Sequence, residues 1–291
     1  MTQELEQATI NLLLRDTIAA VYAASREVEK IYNSSDFGVN MKSDSTPLTK
    51  ADKVSDREIR ERLMHTYIPL LSEEGRFVPY EERANWSLFW LVDPIDGTKE
   101  FIKKNGEFTV NVALIQNRTP IIGVISLPAH HKLYFAASGV GSYRIENMDF
   151  NAYADPESIT LEELVAQGQK LPIKRQPGHK FTVVNSRSHL APEMASYLEK
   201  IRSEHPDMDG HHPYGSSLKF CMVAEGSADL YPRITDTYEW DTAAGQAICL
   251  FASAEVVTMG EKKDQTPLIY NTETMKNPSF VARQRQEDRN A

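Results

Sequence analysis

The sequence predicts a layered α/β or α+β fold, and three observations carry that expectation. Segments with helical periodicity alternate with short apolar runs along the chain. The apolar runs are too short for helices and stop at turn residues. The chain also has 291 residues, 41% of them hydrophobic, enough to bury more than one layer of structure.

Taken in order, Leu14, Ile18, Val21, Val28 and Tyr32 recur at helical spacing, with Glu and Lys on much of the opposite face. A long amphipathic first helix follows. Residues 33–47 are rich in Ser, Asp and Gly and read as a loop with room for a short hairpin. Helical periodicity returns over 52–67 and ends before Pro69. Residues 87–92 read as a buried strand that stops at Asp93-Pro94. Strands over 108–116 and 120–127 are joined by the turn-like Asn117-Arg118-Thr119, and 133–137 reads as another strand. Residues 145–180 are less regular, with a helix over 160–168, and read as an insertion. A strand over 181–185 precedes a helix over 191–205 with Pro192 near its first turn. Helices are expected over 218–224 and 242–251, a strand over 254–259, and a frayed, charged tail over 284–291. The chain is thus expected to divide into an N-terminal part, 1–180, and a C-terminal part, 181–283.

Composition narrows the function. Charged residues make up 25%, ordinary for a globular protein. A net charge of -9 argues against a nucleic-acid polymer as partner, because that affinity rests on clustered Lys and Arg. A small anion stays compatible, since bound metal ions reverse the local sign. Cys221 and Cys249, the only cysteines, lie in apolar stretches and read as buried thiols. The first six residues are polar and acidic, and no run approaches the roughly 20 apolar residues of a membrane span. The expected setting is the cytoplasm, with peripheral association to the inner membrane left open, and the expected state a monomer or weak homodimer.

The strongest local signal is Trp90-Leu91-Val92-Asp93-Pro94-Ile95-Asp96-Gly97-Thr98. An apolar strand delivers Asp93 to a turn shaped by Pro94, and Asp96 follows three residues on, so both carboxylates can face one side. Gly97 allows close backbone approach, and Thr98 opens a helix whose first N–H groups suit an anion. Ser72-Glu73-Glu74-Gly75 follows another apolar approach, Asp241 precedes an Ala-rich helix, and Asp52 opens a third. Each alone reads as a solvated turn or a helix cap. Together they are four acidic turns at element boundaries. If they converge, carboxylates 4 Å apart repel by about 4 kcal/mol per pair at an effective dielectric of 20. Divalent ions remove that penalty, and oxygen-only ligands favour Mg²⁺.

At these residues the chain resembles the inositol monophosphatase superfamily of lithium-sensitive, Mg²⁺-dependent phosphatases. The resemblance rests on Pro47-Leu48-Thr49-Lys50-Ala51-Asp52, Ser72-Glu73-Glu74, Asp93-Pro94-Ile95-Asp96-Gly97-Thr98 and Trp240-Asp241-Thr242-Ala243-Ala244, in the family's order. Within it the chain looks most like the 3'(2'),5'-bisphosphate nucleotidases of the bacterial CysQ type. That branch likeness rests on Gly97-Thr98-Lys99-Glu100-Phe101-Ile102, Asn105-Gly106-Glu107-Phe108-Thr109-Val110-Asn111, Ser186-Arg187-Ser188-His189 and Gly215-Ser216-Ser217-Leu218-Lys219-Phe220-Cys221. Residues 145–180 look extended relative to the branch.

The resemblance implies an αβαβα sandwich of the sugar-phosphatase type. It implies that Glu73, Asp93 and the Ile95 carbonyl hold one Mg²⁺, that Asp93, Asp96 and Asp241 hold a second, and that Asp52 supports a weaker third. Thr98, with Asp52 or Glu73, would orient the attacking water. Glu73, Ile95, Asp96, Gly97, Thr98 and Asp241 would also border the substrate. A second phosphate would meet Lys219 and Arg233, with Ser216 and His189 as hydrogen-bond donors and Gly215 admitting the nucleoside. Ser216 and Lys219 fall on one helical face, and the plain alternative for Lys219 is an exposed helix residue. The implied substrate is adenosine 3',5'-bisphosphate, with its 5'-phosphosulfate analogue as a further one, in sulfur assimilation and nucleotide recycling. The alternatives are an inositol or sugar monophosphatase and a non-catalytic module that binds metal and a phosphorylated ligand.

Overall fold

The N-terminal repeat forms helix α1, Gln7–Tyr32, which buries Leu14, Ile18, Val21 and Val28. The computed structural model describes residues 5–34, 37–41, 47–152, 158–175, 177–187 and 192–285. Helix α2, Lys50–Leu63, packs along α1. Its start is a reciprocal cap: the Thr49 hydroxyl accepts from the Ala51 N–H, and Asp52 accepts from the Thr49 N–H. A 3-10 turn, Met64–Thr66, and left-handed Tyr67 (φ 54°) end it before Pro69. Between the two helices, the short strands β1, Asn40–Met41, and β2, Pro47–Leu48, pair antiparallel.

A seven-stranded sheet lies under these helices. Its strands run in chain order: β3, Leu70–Ser72; β4, Leu88–Asp96; β5, Thr109–Gln116; β6, Thr119–Leu127; β7, Lys132–Ala137; β8, Gly141–Ile145; and β9, Gln169–Lys170. The β3–β4 pair is parallel and the rest antiparallel. Both faces are covered, so the strands carry apolar residues at successive positions. Trp90 and Val92 join the core under α1 and α2, and Phe89 and Leu91 join the core on the other side. The β5–β6 turn holds Asn117 and Arg118 at φ 49° and 67°, as a tight hairpin with two left-handed residues requires. Three short helices, α3 (Tyr80–Arg83), α4 (Thr98–Ile102) and α5 (Leu161–Gln167), complete this part.

From residue 182 onward the chain builds a second sheet from β10, Thr182–Ser186; β11, Gly210–Tyr214; β12, Leu230–Arg233; β13, Ala254–Thr258; and β14, Phe280–Gln284. Their order is β11-β10-β12-β14-β13. Helix α6, Pro192–Glu204, covers its outer face through Met194, Leu198 and Ile201. Helices α7, Leu218–Glu225, and α8, Ala243–Leu250, fill the space between the sheets. The layers therefore read α1/α2, sheet, α7/α8, sheet, α6, which is the αβαβα sandwich the sequence implied. The close fit of α8 depends on Gly123 in β6. A Cβ there would stand 2.5 Å from the Ala244 carbonyl oxygen and 2.6 Å from the Ala247 Cβ.

Several expectations need correction. Strand β4 does not stop at Asp93; it continues to Asp96 through a register shift, and such an irregularity tolerates Pro94. Strands β3, β8, β9, β11, β12 and β14 escaped the sequence reading. Gln284 is not tail but the last residue of β14, paired with Ala254; residues 286–291 lie outside the described residues. Within 145–180, Thr160 caps α5, Leu161 and Leu164 enter the core beneath α1, and β9 extends the first sheet. No helix among the described residues is long and apolar enough to cross a membrane.

Candidate metal-binding active site

The parallel pairing of β3 with β4 brings two acidic turns together. The Glu73 N–H donates to the Val92 carbonyl at 3.1 Å, so Glu73 stands beside Asp93. Asp241 arrives from the other half of the chain, as the last residue of a 3-10 turn, Glu239–Asp241, that leads into α8. Its Oδ2 accepts the Tyr238 N–H at 2.9 Å. Glu73, Asp93, Asp96 and Asp241 all line one cavity of about 330 Å³. Asp241 does not cap the Ala-rich helix that follows, whose N-cap is Thr242; its cap bond instead closes the preceding 3-10 turn.

The electrostatics are those of crowded acids. Burial pushes the Asp93 carboxyl well above the usual carboxylate range, and the charges of Glu73, Asp96 and Asp241 push it further. Burial raises Asp241 in the same way, with Asp96 and Glu73 adding to it. Asp96 is raised by burial despite the opposing pull of Lys219, the Ser217 hydrogen bond and Arg233. Asp93 Oδ1 is buried with no hydrogen-bond partner among the described residues. A buried carboxylate oxygen without a donor is costly unless a cation meets it. The donors are all oxygens, which suits Mg²⁺. Among the described residues no three acidic, His or Cys side chains close into a ready-made metal cage. The four acids instead ring an open cavity, and Mg²⁺ is commonly held that way, by one or two carboxylates with water and substrate phosphate.

The match to the inositol monophosphatase family spans residues 11–289. The chain belongs to the inositol monophosphatase family. It is 39% identical over 268 residues to the "3'(2'),5'-bisphosphate nucleotidase CysQ" of Salmonella typhimurium, covering 91% of this chain and 93% of that one. To the protein of the same name from Buchnera aphidicola it is 38% identical over 257 residues, 86% and 87% of the two chains. The crystal structure of CysQ from Bacteroides thetaiotaomicron superposes with a TM-score of 0.86 at 41% identity, covering 96% of this chain and 99% of that chain. With that membership, the expectation of a metal-dependent phosphatase holds.

The remaining residues singled out by the family motifs fall as follows. The Thr98 hydroxyl lies 3.2 Å from Asp52 Oδ1 and 3.4 Å from the Ile95 carbonyl. Asp52 is 1% exposed, and its Oδ2 serves the α2 cap, so the capping role and a place beside Thr98 coexist. Gly97 (φ 91°) and Gly215 line the cavity. Ser216 and Lys219 line it too, but not as neighbours on one helical face. Helix α7 begins at Leu218, and Ser216 precedes it in a left-handed conformation (φ 47°). The two meet because Lys219 Nζ donates to the Ser216 carbonyl, and also to that of Tyr214 at 3.1 Å. Lys219 is not an exposed helix residue: it is 2% exposed, and burial pulls its ammonium down to about 8, against the raising effect of Asp96. Arg233 lines the cavity and anchors itself on the Thr235 and Asp236 carbonyls. His189 lies outside the described residues.

Two contributors escaped sequence reasoning. Ser217 Oγ accepts from Asn111 Nδ2 at 3.0 Å and lies 2.9 Å from Asp96 Oδ2 and 3.0 Å from the Asp241 carbonyl, tying the two acidic turns together. Its position directly before an apolar helix looks like an ordinary cap, yet its side chain makes no cap bond. Glu239, fully buried, accepts the Asn271 and Thr272 N–H groups at 2.7 Å each and so anchors the turn that carries Asp241. No local signal marked it beyond its neighbour Trp240-Asp241.

Proposed function

We propose that this chain is a Mg²⁺-dependent 3'(2'),5'-bisphosphate nucleotidase that converts adenosine 3',5'-bisphosphate to AMP and phosphate, and accepts the 5'-phosphosulfate analogue. The observation that carries this reading is an adjacency within one cavity. Four carboxylates suited to divalent ions stand next to Lys219 and Arg233, two cations that a monophosphate would not require.

In this reading Glu73, Asp93 and the Ile95 carbonyl hold one Mg²⁺; Asp93, Asp96 and Asp241 hold the second; and Asp52 supports a third, weaker one. Ions bound there supply the Lewis acidity that activates a water and stabilises the leaving ester oxygen. Thr98 spends its hydroxyl proton on Asp52 and keeps its oxygen lone pairs for the attacking water. Asp52 is fixed in orientation because Thr49 holds its other oxygen. Water attacks the phosphorus directly, with no side-chain nucleophile. Beside these acids Lys219, Arg233 and the Ser216 hydroxyl receive the second phosphate, with Gly215 leaving room for the nucleoside.

The test is phosphate release by the purified protein from adenosine 3',5'-bisphosphate and from inositol 1-phosphate, with Mg²⁺ and with a chelator. Faster hydrolysis of the bisphosphate, abolished by chelation, is the expected result. Preference for inositol 1-phosphate would assign a monophosphatase instead. Release from neither would leave a binding module.

A further inference from the structure

Three of the stretches that carry the likeness to the nucleotidases meet at a carboxylate that the proposed chemistry leaves unused. Glu107 precedes β5, Arg187 follows β10, and Gly215 follows β11. Arg187 donates from Nη2 to Glu107 Oε1 at 2.7 Å and from Nε to Oε2 at 3.0 Å. The Gly215 N–H donates to Oε2 at 2.7 Å. Arg187 also donates from Nη2 to the Pro213 carbonyl at 2.8 Å and from its backbone N–H to the Tyr214 carbonyl. Lys219 holds the same strap through the Tyr214 and Ser216 carbonyls. The fit is tight. The Glu107 carbonyl oxygen would stand 2.6 Å from a Cβ on Gly215 and 3.0 Å from one on Gly97, so this residue is wedged between the strap and the turn that carries Asp96.

We infer that Glu107, acting through Arg187 and Gly215, is a positioning residue that presets strap 213–216 against the Asp96–Gly97–Thr98 turn and so sets the spacing between the two phosphate-binding ends of the cavity. This inference rests on the nucleotidase reading. A bisphosphate must engage both ends at once, whereas a monophosphate engages one. A strap released from Glu107 must be ordered on binding, and that cost falls on the substrate that needs the strap.

The experiment compares Glu107→Gln and Arg187→Lys with the wild type, using adenosine 3',5'-bisphosphate and adenosine 3'-monophosphate with Mg²⁺. Gln still accepts the Gly215 N–H but cannot take both guanidinium donors, and Lys keeps the charge but not the fork. Each variant is expected to raise KM for the bisphosphate about 5- to 20-fold, to shift KM for the monophosphate by less than about 2-fold, and to leave kcat within about 3-fold. The combined variant is expected to be no worse than the weaker single one, because both remove one contact. Parallel KM shifts for the two substrates, or a lowered melting temperature with the KM ratio unmoved, would overturn the inference while leaving the nucleotidase reading intact. Wild-type protein that ignores the bisphosphate would sink that reading and this inference with it.

Discussion

Thr98 and Asp52 meet at 3.2 Å, hydroxyl to Oδ1, while the other Asp52 oxygen is clamped by the Thr49 N–H at 2.7 Å and the Thr49 hydroxyl at 2.6 Å. A helix cap thereby fixes the side chain that orients Thr98.

Removing the Thr98 hydroxyl leaves that orientation without a purpose. Thr98→Ala should lower kcat by about 10²- to 10⁴-fold with a much smaller change in KM, the loss expected for a group that guides proton movement at the reacting water. Thr98→Ser should recover most of it. Steady-state phosphate release decides the matter, and unaltered turnover in Thr98→Ala would remove Thr98 from the mechanism.

The crowded acids make a prediction about metal-free stability. Asp93, Asp96 and Asp241 are all harder to ionise folded than unfolded, so in the intervening pH range the folded state binds more protons. Stability from this cluster is therefore greatest in acid and declines as pH rises above the ordinary carboxylate range. Without Mg²⁺, Asp93→Asn should melt higher than wild type at neutral pH and show a flatter pH dependence, while losing activity. Saturating Mg²⁺ should raise the wild-type melting temperature far more than that of the variant. An apoprotein variant less stable than wild type at neutral pH would contradict this account.

Lys219 should give substrate binding a pH limit. Its ammonium loses its proton near about 8, so the charge that meets a second phosphate fades as pH rises through that value. KM for adenosine 3',5'-bisphosphate should climb above that pH in wild type. In Lys219→Ala it should start high and stay flat, with a smaller penalty for monophosphates. Equal effects on both substrates would remove the reason for a second phosphate at this end.

Packing at the centre of the sandwich can be tested without substrate. Gly123→Ala forces a methyl group against the α8 backbone, so it should cost about 1–3 kcal/mol of stability, read as a lowered urea midpoint. Leaving the midpoint in place would mean that α8 shifts freely on β6.

Much of the site was legible in the linear chain because its acids sit at element ends. Asp93 ends an apolar run, and Asp52 and Asp241 open helices; such boundaries are local events that turn residues and periodicity reveal. The αβαβα order followed from four motifs matched in sequence to a family, and the fold agrees. Strands β11 and β14 were hidden for a physical reason. A strand is stabilised by partners distant in the chain, and β14 is held between β12 and β13.

By itself, then, the sequence determined which acids could gather, the helices that present them and the family they belong to, since each is written in neighbouring residues. Only the tertiary structure decided that Lys219 is buried rather than solvated, that Ser217 spans two acidic turns and that Glu107 grips Arg187 eighty residues away. Those outcomes depend on how two sheets close around α7 and α8, and burial between layers is a property of the packed whole that periodicity along one strand or helix does not carry.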